Sequence, residues 1–230
     1  MRNHRISSWL LVVMVAFVCL VAGCGDNGTT VVSSISKNTT MNPVLSFYIN
    51  RSVYTDTNPY TLWGYGFDSA GTDTSGHTGL DTGTSGGRPY QNFYKLIFNF
   101  NISALSSATI QSATLRIYQN GVSGTTQDAI LENIFYGNTD SLPTAPRNYD
   151  NEMGGYIVTP AITGTALANA IGWKTFDVKA KLQSDINAGR SNSQFRLSHA
   201  DETSLVNFSC NWNMANNASN KPELVVVYTK

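Results

Sequence analysis

Apolar and polar positions alternate most clearly between Tyr94 and Gln119. In Tyr94–Phe100, Leu96, Phe98 and Phe100 share one side, and Lys95, Ile97 and Asn99 share the other. After a short turn, Ala113, Leu115 and Ile117 alternate with Thr114, Arg116 and Tyr118. A period of two predicts strands with one face on the core. The segments VLSFYI, YTLWGYGF, AILENIFYG, GYIVT, SQFRLSHA, LVNFSCNW and PELVVVY read the same way, each bounded by Gly, Pro, Asn or Ser. Their number and spacing predict an all-β domain of two packed sheets. One stretch breaks the pattern. In FDVKAKLQSDINAG, Val178, Leu182 and Ile186 recur every fourth residue, with Asp177 placed to cap the first turn and Gly189 to end the last. This predicts one short helix, set over an open end of the sandwich.

Two segments fall outside this patterning. Residues 1–23 combine a basic opening (Arg2, His4, Arg5) with an apolar run from Trp9 to Val21 and small residues before Cys24. The run is shorter than the roughly 20 residues that a membrane-spanning helix requires, so the layout is that of a cleaved signal peptide. Its ending, Val21-Ala22-Gly23-Cys24, resembles the lipobox of bacterial lipoproteins. That resemblance implies a lipid on Cys24 and a place in the cell envelope. With Gly25 after the cysteine, the destination would be the outer membrane or cell surface in an organism with two membranes. Residues 24–40 then form a lipidated, flexible tether, and 41–230 the folded domain. The second segment, Asp68 to Asn92, has almost no apolar residue and is expected to be a long surface loop.

Charge narrows the partners. The chain carries 15 basic and 15 acidic side chains, and cleavage before Cys24 would take Arg2 and Arg5 with it, leaving a small acidic excess. No basic field recruits nucleic acid. Of the three cysteines, Cys19 leaves with the signal and Cys24 is the lipid acceptor, so Cys210 has no partner for a disulfide and is expected to be a buried, inert thiol.

Three segments in order, YKLIFNFNISALSSATIQSATLRIYQ, GWKTFDVKAKLQSDINAG and KPELVVVY, resemble the bacterial surface modules called DNRLRE domains, part of which is classed as carbohydrate-binding module family 96. The resemblance runs from Tyr94 to Tyr228 and implies a jelly-roll type β-sandwich, glycan binding as the family's known activity, and a core position for Trp173. Its motifs are mostly core positions, so they specify fold better than ligand.

Candidate chemistry is sparse. Gly83-Thr84-Ser85-Gly86-Gly87 has the form of a nucleophile elbow, but a polar run precedes it and Arg88-Pro89 follows, where that elbow needs a buried strand and a helix. Asp81-Thr82-Gly83-Thr84 echoes an aspartic protease motif that requires a second copy, and none exists. His77 and His199 have no metal-ligand spacing. No coherent catalytic set emerges. Asp68, Asp73 and Asp81, among Gly, Ser and Thr, form a candidate Ca²⁺ set, since hard cations take carboxylate and carbonyl oxygens from loops. Trp63, Tyr65, Tyr90 and Trp212 lie in or beside loop-like sequence. Each is either a platform for the apolar face of a sugar ring or a core aromatic. Arg88 and the loop carboxylates would rim such a platform. Tyr149 and Tyr156 lie in loop-like sequence as well. The expected function is a non-catalytic envelope lipoprotein that binds a polysaccharide. The alternative is a structural or assembly subunit with surface-protein partners.

Overall fold

The computed structural model describes residues 35–56, 61–67, 73–124, 128–141, 157–166, 171–199 and 208–230, with the backbone alone at 61–67, 128 and 157–166. Among these residues twelve strands form in chain order: β1 (Ser36–Met41), β2 (Leu45–Tyr54), β3 (Thr61–Phe67), β4 (Ser75–Ser85), β5 (Arg88–Asn101), β6 (Thr109–Gly124), β7 (Asp128–Ile134), β8 (Ile157–Ala166), β9 (Gly172–Asp177), β10 (Asn192–His199), β11 (Phe208–Asn213) and β12 (Glu223–Thr229). Among the described residues one helix, α1 (Lys179–Asn187), separates β9 from β10. The fold is all-β with one short helix, as the patterning predicts.

All pairings are antiparallel, in the order β1-β12-β6-β11-β4-β5-β10-β7-β8, with β2 and β9 added to β5 and β6, and β3 to β2. Two long strands turn this ladder into a curled sandwich. β5 gives one edge to β2 along most of its length and divides the other between β4 at Arg88–Tyr94 and β10 at Leu96–Asn101. β6 does the same, with β9 on one edge and β12 and β11 sharing the other. Where the neighbour changes, the sheet folds over and its inner faces meet.

Between them lies the main core, built from Leu96, Phe98 and Phe100 of β5, Ala113, Leu115 and Ile117 of β6, and facing residues of β7, β10, β11 and β12. The alternation in β5 and β6 is therefore real, but β5 differs from expectation on its second face. Ile97 joins a smaller cluster with Phe47, Ile49, Leu80, Phe93 and Phe208, and Lys95 and Asn99 are buried beside it. A strand with neighbours on both edges and packing on both faces has no solvent side to offer its polar residues. Asn99 meets that constraint by donating to the Thr139 carbonyl at 2.7 Å and accepting from Asn192 at 3.2 Å.

α1 forms as predicted. The Asp177 carboxylate accepts the Lys179 N–H at 3.0 Å, Leu182 and Ile186 are buried, and Gly189 at φ +69° ends the helix. Gln183 ties it to the start of β6, accepting from the Ile110 N–H and donating to the Ala108 carbonyl. Cys210 is a buried free thiol whose pKa burial pushes up to about 11, so it carries no thiolate reactivity.

Two boundaries move. The tether expected through residue 40 loses its last residues to β1, where Ser36–Met41 pairs with Leu224–Thr229 and closes the edge of β12. The expected loop from Asp68 to Asn92 is, from Ser75 onward, a β-hairpin. Ser85 pairs with Arg88 across Gly86 and Gly87, at φ +59° and +79°. A two-residue turn with both φ positive matches the right-handed twist of its strands, and glycine adopts it without a Cβ clash. Polar β4 holds as a strand because β11 and β5 supply hydrogen bonds on both its edges. Residues 68–72 lie outside the described residues.

Candidate functional site

The hairpin aligns side chains that look unrelated in the sequence. Directly paired residues in an antiparallel ladder share a face. Asn50, Ser52 and Tyr54 of β2 thus stand beside Tyr94, Asn92 and Tyr90 of β5, and these beside Gly79, Asp81 and Gly83 of β4. Across β4, His77 and Gly79 pair with Asn211 and Ser209 of β11, which pair in turn with Gly121 and Ser123 of β6. The result is one five-strand face of tyrosine, amide, hydroxyl, imidazole and a single central carboxylate.

Two glycines shape this face. A Cβ on Gly83 would stand 2.5 Å from the Tyr90 hydroxyl and 2.6 Å from its Cζ, so the Tyr90 side chain lies across the strand in the space that Gly83 leaves. An aromatic side chain that covers a strand glycine in this way supplies packing the glycine cannot, and Tyr90 remains half-exposed. Gly121 seats Asn211 likewise, with a Cβ position 2.9 Å from Nδ2. Around Tyr90 the polar groups are pre-set. Asn50 donates to Ser52 Oγ at 3.2 Å, Ser52 donates to Asn92 Oδ1, and Asn92 Nδ2 donates to the Tyr94 hydroxyl at 3.2 Å.

At the hairpin tip Arg88 stacks 3.8 Å over Tyr54 and donates through Nε and Nη2 to both carboxylate oxygens of Asp56 at 2.7 Å. Towards the core, the ring of His77 lies 3.9 Å from that of Tyr94 and 5.8 Å from Tyr48. Beside it a cleft of about 370 Å³ is lined by His77, Asp81, Ser123, Ser209 and Asn211, among others. Burial lowers the His77 pKa, with Asp81 opposing, and raises that of Tyr94. Half-exposed rings with polar edges, amides that both donate and accept, and a carboxylate that only accepts make a surface suited to a ligand with apolar faces and many hydroxyls.

Of the residues expected at a site, Tyr90 and Asp81 belong to this face and Arg88 borders it. Trp63 and Tyr65 are on β3, with Tyr65 in register with Arg51 and Trp63 at an irregularity between the partners of Ser52 and Val53. Their side chains, with Asp68, Tyr149 and Tyr156, lie outside the described residues.

Trp212 is a correction. It is 0 % exposed inside the main core and donates from Nε1 to Thr78 Oγ1 at 2.9 Å, so no sugar ring reaches it. Of the candidate Ca²⁺ set, Asp73 precedes β4 and Asp81 lies six residues into it, about 20 Å along an extended strand, while Asp68 lies outside the described residues. Among the described residues no group of three or more His, Cys, Asp or Glu is placed to hold a metal. Ser85 ends a strand at a hairpin turn, which is not the strand-to-helix geometry of a nucleophile elbow. Trp173, expected in the core, is half-exposed on β9, with Tyr118 at 5.4 Å edge-on and Arg116 4.5 Å over its ring.

The sequence reading missed His77, Asn92, Tyr94, Ser209 and Asn211. The signal for two of them was present: Tyr90, Asn92 and Tyr94 alternate with Gln91 and Phe93 shortly after a Gly-Gly pair, the mark of a hairpin strand. The sequence profile of carbohydrate-binding module family 96 matches residues 82–228, which include Tyr90, Asn92, Tyr94, Ser209 and Asn211. A search of curated proteins finds no match.

Proposed function

The chain belongs to carbohydrate-binding module family 96, and on that premise we propose that the face spanning β2, β5, β4, β11 and β6 binds a polysaccharide without altering it chemically. The observation that carries the reading is half-exposed Tyr90, laid across Gly83 with Asn92, Tyr94 and Asp81 beside it. Sugar rings present apolar C–H faces that pack on such a ring, while their hydroxyls exchange bonds with amides and carboxylates.

The same proposal places the protein at the cell envelope, held by a lipid on Cys24, with the residues between Cys24 and β1 as the spacer. Its support is the signal-like layout of residues 1–24.

The test is isothermal titration of the full-length protein and of Tyr90→Ala against soluble polysaccharides. Most of the binding is expected to disappear in the variant, because a few central aromatics carry the energy of such sites. Unchanged binding by Tyr90→Ala would move the site elsewhere. A folded wild-type chain that binds no glycan but self-associates would replace this reading with the structural one.

A further inference from the structure

We propose that Ser52 is a positioning residue of this face: through Asn92 it fixes the Tyr94 hydroxyl as a hydrogen-bond donor toward the ligand, a role that rests on the glycan-binding reading above. The side chains involved occupy two cross-strand pairs of β2 and β5, Ser52 opposite Asn92 and Asn50 opposite Tyr94. Asn50 Nδ2 donates to Ser52 Oγ at 3.2 Å, Ser52 donates to Asn92 Oδ1, and Asn92 Nδ2 donates to Tyr94 Oη at 3.2 Å. Ser52 and Asn92 are 6 % and 9 % exposed, so their polar atoms satisfy one another rather than turn to bulk water.

The sense of this chain decides what Tyr94 offers. A serine hydroxyl has one proton, and here it goes to Asn92 Oδ1. The Asn92 amide then has only its N–H side for Tyr94. A phenolic hydroxyl that accepts this bond keeps its own proton for another partner, and among the described residues no hydrogen bond takes it. Burial raises the Tyr94 pKa, with the Asn92 bond opposing, so the proton is present at neutral pH. Tyr94 is half-exposed, and Asp81, the ladder partner of Asn92, is a carboxylate that only accepts. A sugar hydroxyl between the two would accept from Tyr94 and donate to Asp81. Without Ser52 nothing holds Asn92 Oδ1 away from Tyr94. Reversal of the amide would draw the phenolic proton inward, out of a ligand's reach.

The experiment titrates the full-length protein calorimetrically with a soluble β-glucan, a galactomannan and polygalacturonate, beside Ser52→Ala, Ser52→Thr, Tyr94→Phe and the Ser52→Ala/Tyr94→Phe double variant. Against a polymer that the wild type binds, each of Ser52→Ala and Tyr94→Phe is expected to bind about tenfold more weakly, the scale of one hydrogen bond. The double variant is expected to bind no more weakly than either, because the two act as a unit. Ser52→Thr, which keeps the hydroxyl, is expected to recover most of the loss. Raman difference spectra against the matching Tyr94→Phe protein isolate the Tyr94 doublet, which is expected to shift in Ser52→Ala toward a hydroxyl that only donates. Asn92→Asp has no N–H to give and is expected to show the same doublet without touching Ser52. Full binding by Ser52→Ala, losses that add in the double variant, an equal loss in Ser52→Thr, or an unchanged doublet would each overturn the positioning role and leave glycan binding standing. Failure of the folded wild type to bind any of the three polymers would overturn both readings.

Discussion

Tyr90 of β5 lies over Gly83 of β4, and a Cβ on Gly83 would stand within 3 Å of its Oη, Cζ and Cε1. The ring and the glycine are direct partners in the ladder, so the orientation of the aromatic platform depends on a residue that has no side chain of its own.

Gly83→Ala is therefore expected to weaken polysaccharide binding tenfold or more by lifting the Tyr90 ring. It should barely change the unfolding midpoint, because Gly83 does not have a positive φ that would penalise alanine. Titration calorimetry and differential scanning calorimetry separate the two effects. Binding equal to wild type would show that the ring orientation is immaterial.

Core truncations should cost far more stability. Leu115→Ala is expected to lose about 2–5 kcal/mol and Trp212→Ala about 3–5 kcal/mol, each side chain being 0 % exposed. Trp212→Ala also leaves Thr78 Oγ1 without the indole donor. Urea denaturation measures both, and a Trp212→Ala loss below about 0.5 kcal/mol would place that ring at the surface.

Acid sensitivity should trace in part to His77. Burial holds its pKa below the ordinary 6.5, so the unfolded chain takes up that proton first as pH falls. The contribution to stability is full above about pH 6.5 and is lost as pH drops through the folded-state value. Asp185 acts in the opposite sense at lower pH, because burial raises its carboxyl above 3.8 and the folded chain then binds that proton more tightly. In urea titrations between about pH 5 and 7.5, His77→Gln is expected to flatten the decline. Parallel curves for the two proteins would assign it to other groups.

Cys24→Ser tests the anchor. The variant is expected in the soluble fraction, unlabelled by radioactive fatty acid, while the wild type partitions with membranes. Equal membrane retention of both would remove the lipid from the account.

The all-β class, the two central strands and the helix were legible in the sequence because each depends on local periodicity. Leu96, Phe98 and Phe100 repeat every second residue, and Val178, Leu182 and Ile186 every fourth, whatever the rest of the chain does. The segments resembling a carbohydrate-binding module were legible for the same reason, since they are core positions of those elements.

What only the tertiary structure decided was which elements meet, and on which face. Period two says that one side of a strand is buried, but it does not name the strand alongside. Asn92 and Asp81 come together only through the β4–β5 register, and His77 and Asn211 only through β4 and β11. β4 itself reads as a loop because its own residues bury little. It becomes a strand through backbone hydrogen bonds supplied by neighbours that lie next to it in sequence on one side and more than a hundred residues away on the other. Exposure of an aromatic depends on the same distant packing. Trp212 is covered by the main core and half-exposed Trp173 lies under Arg116, although both tryptophans sit in strand-like sequence.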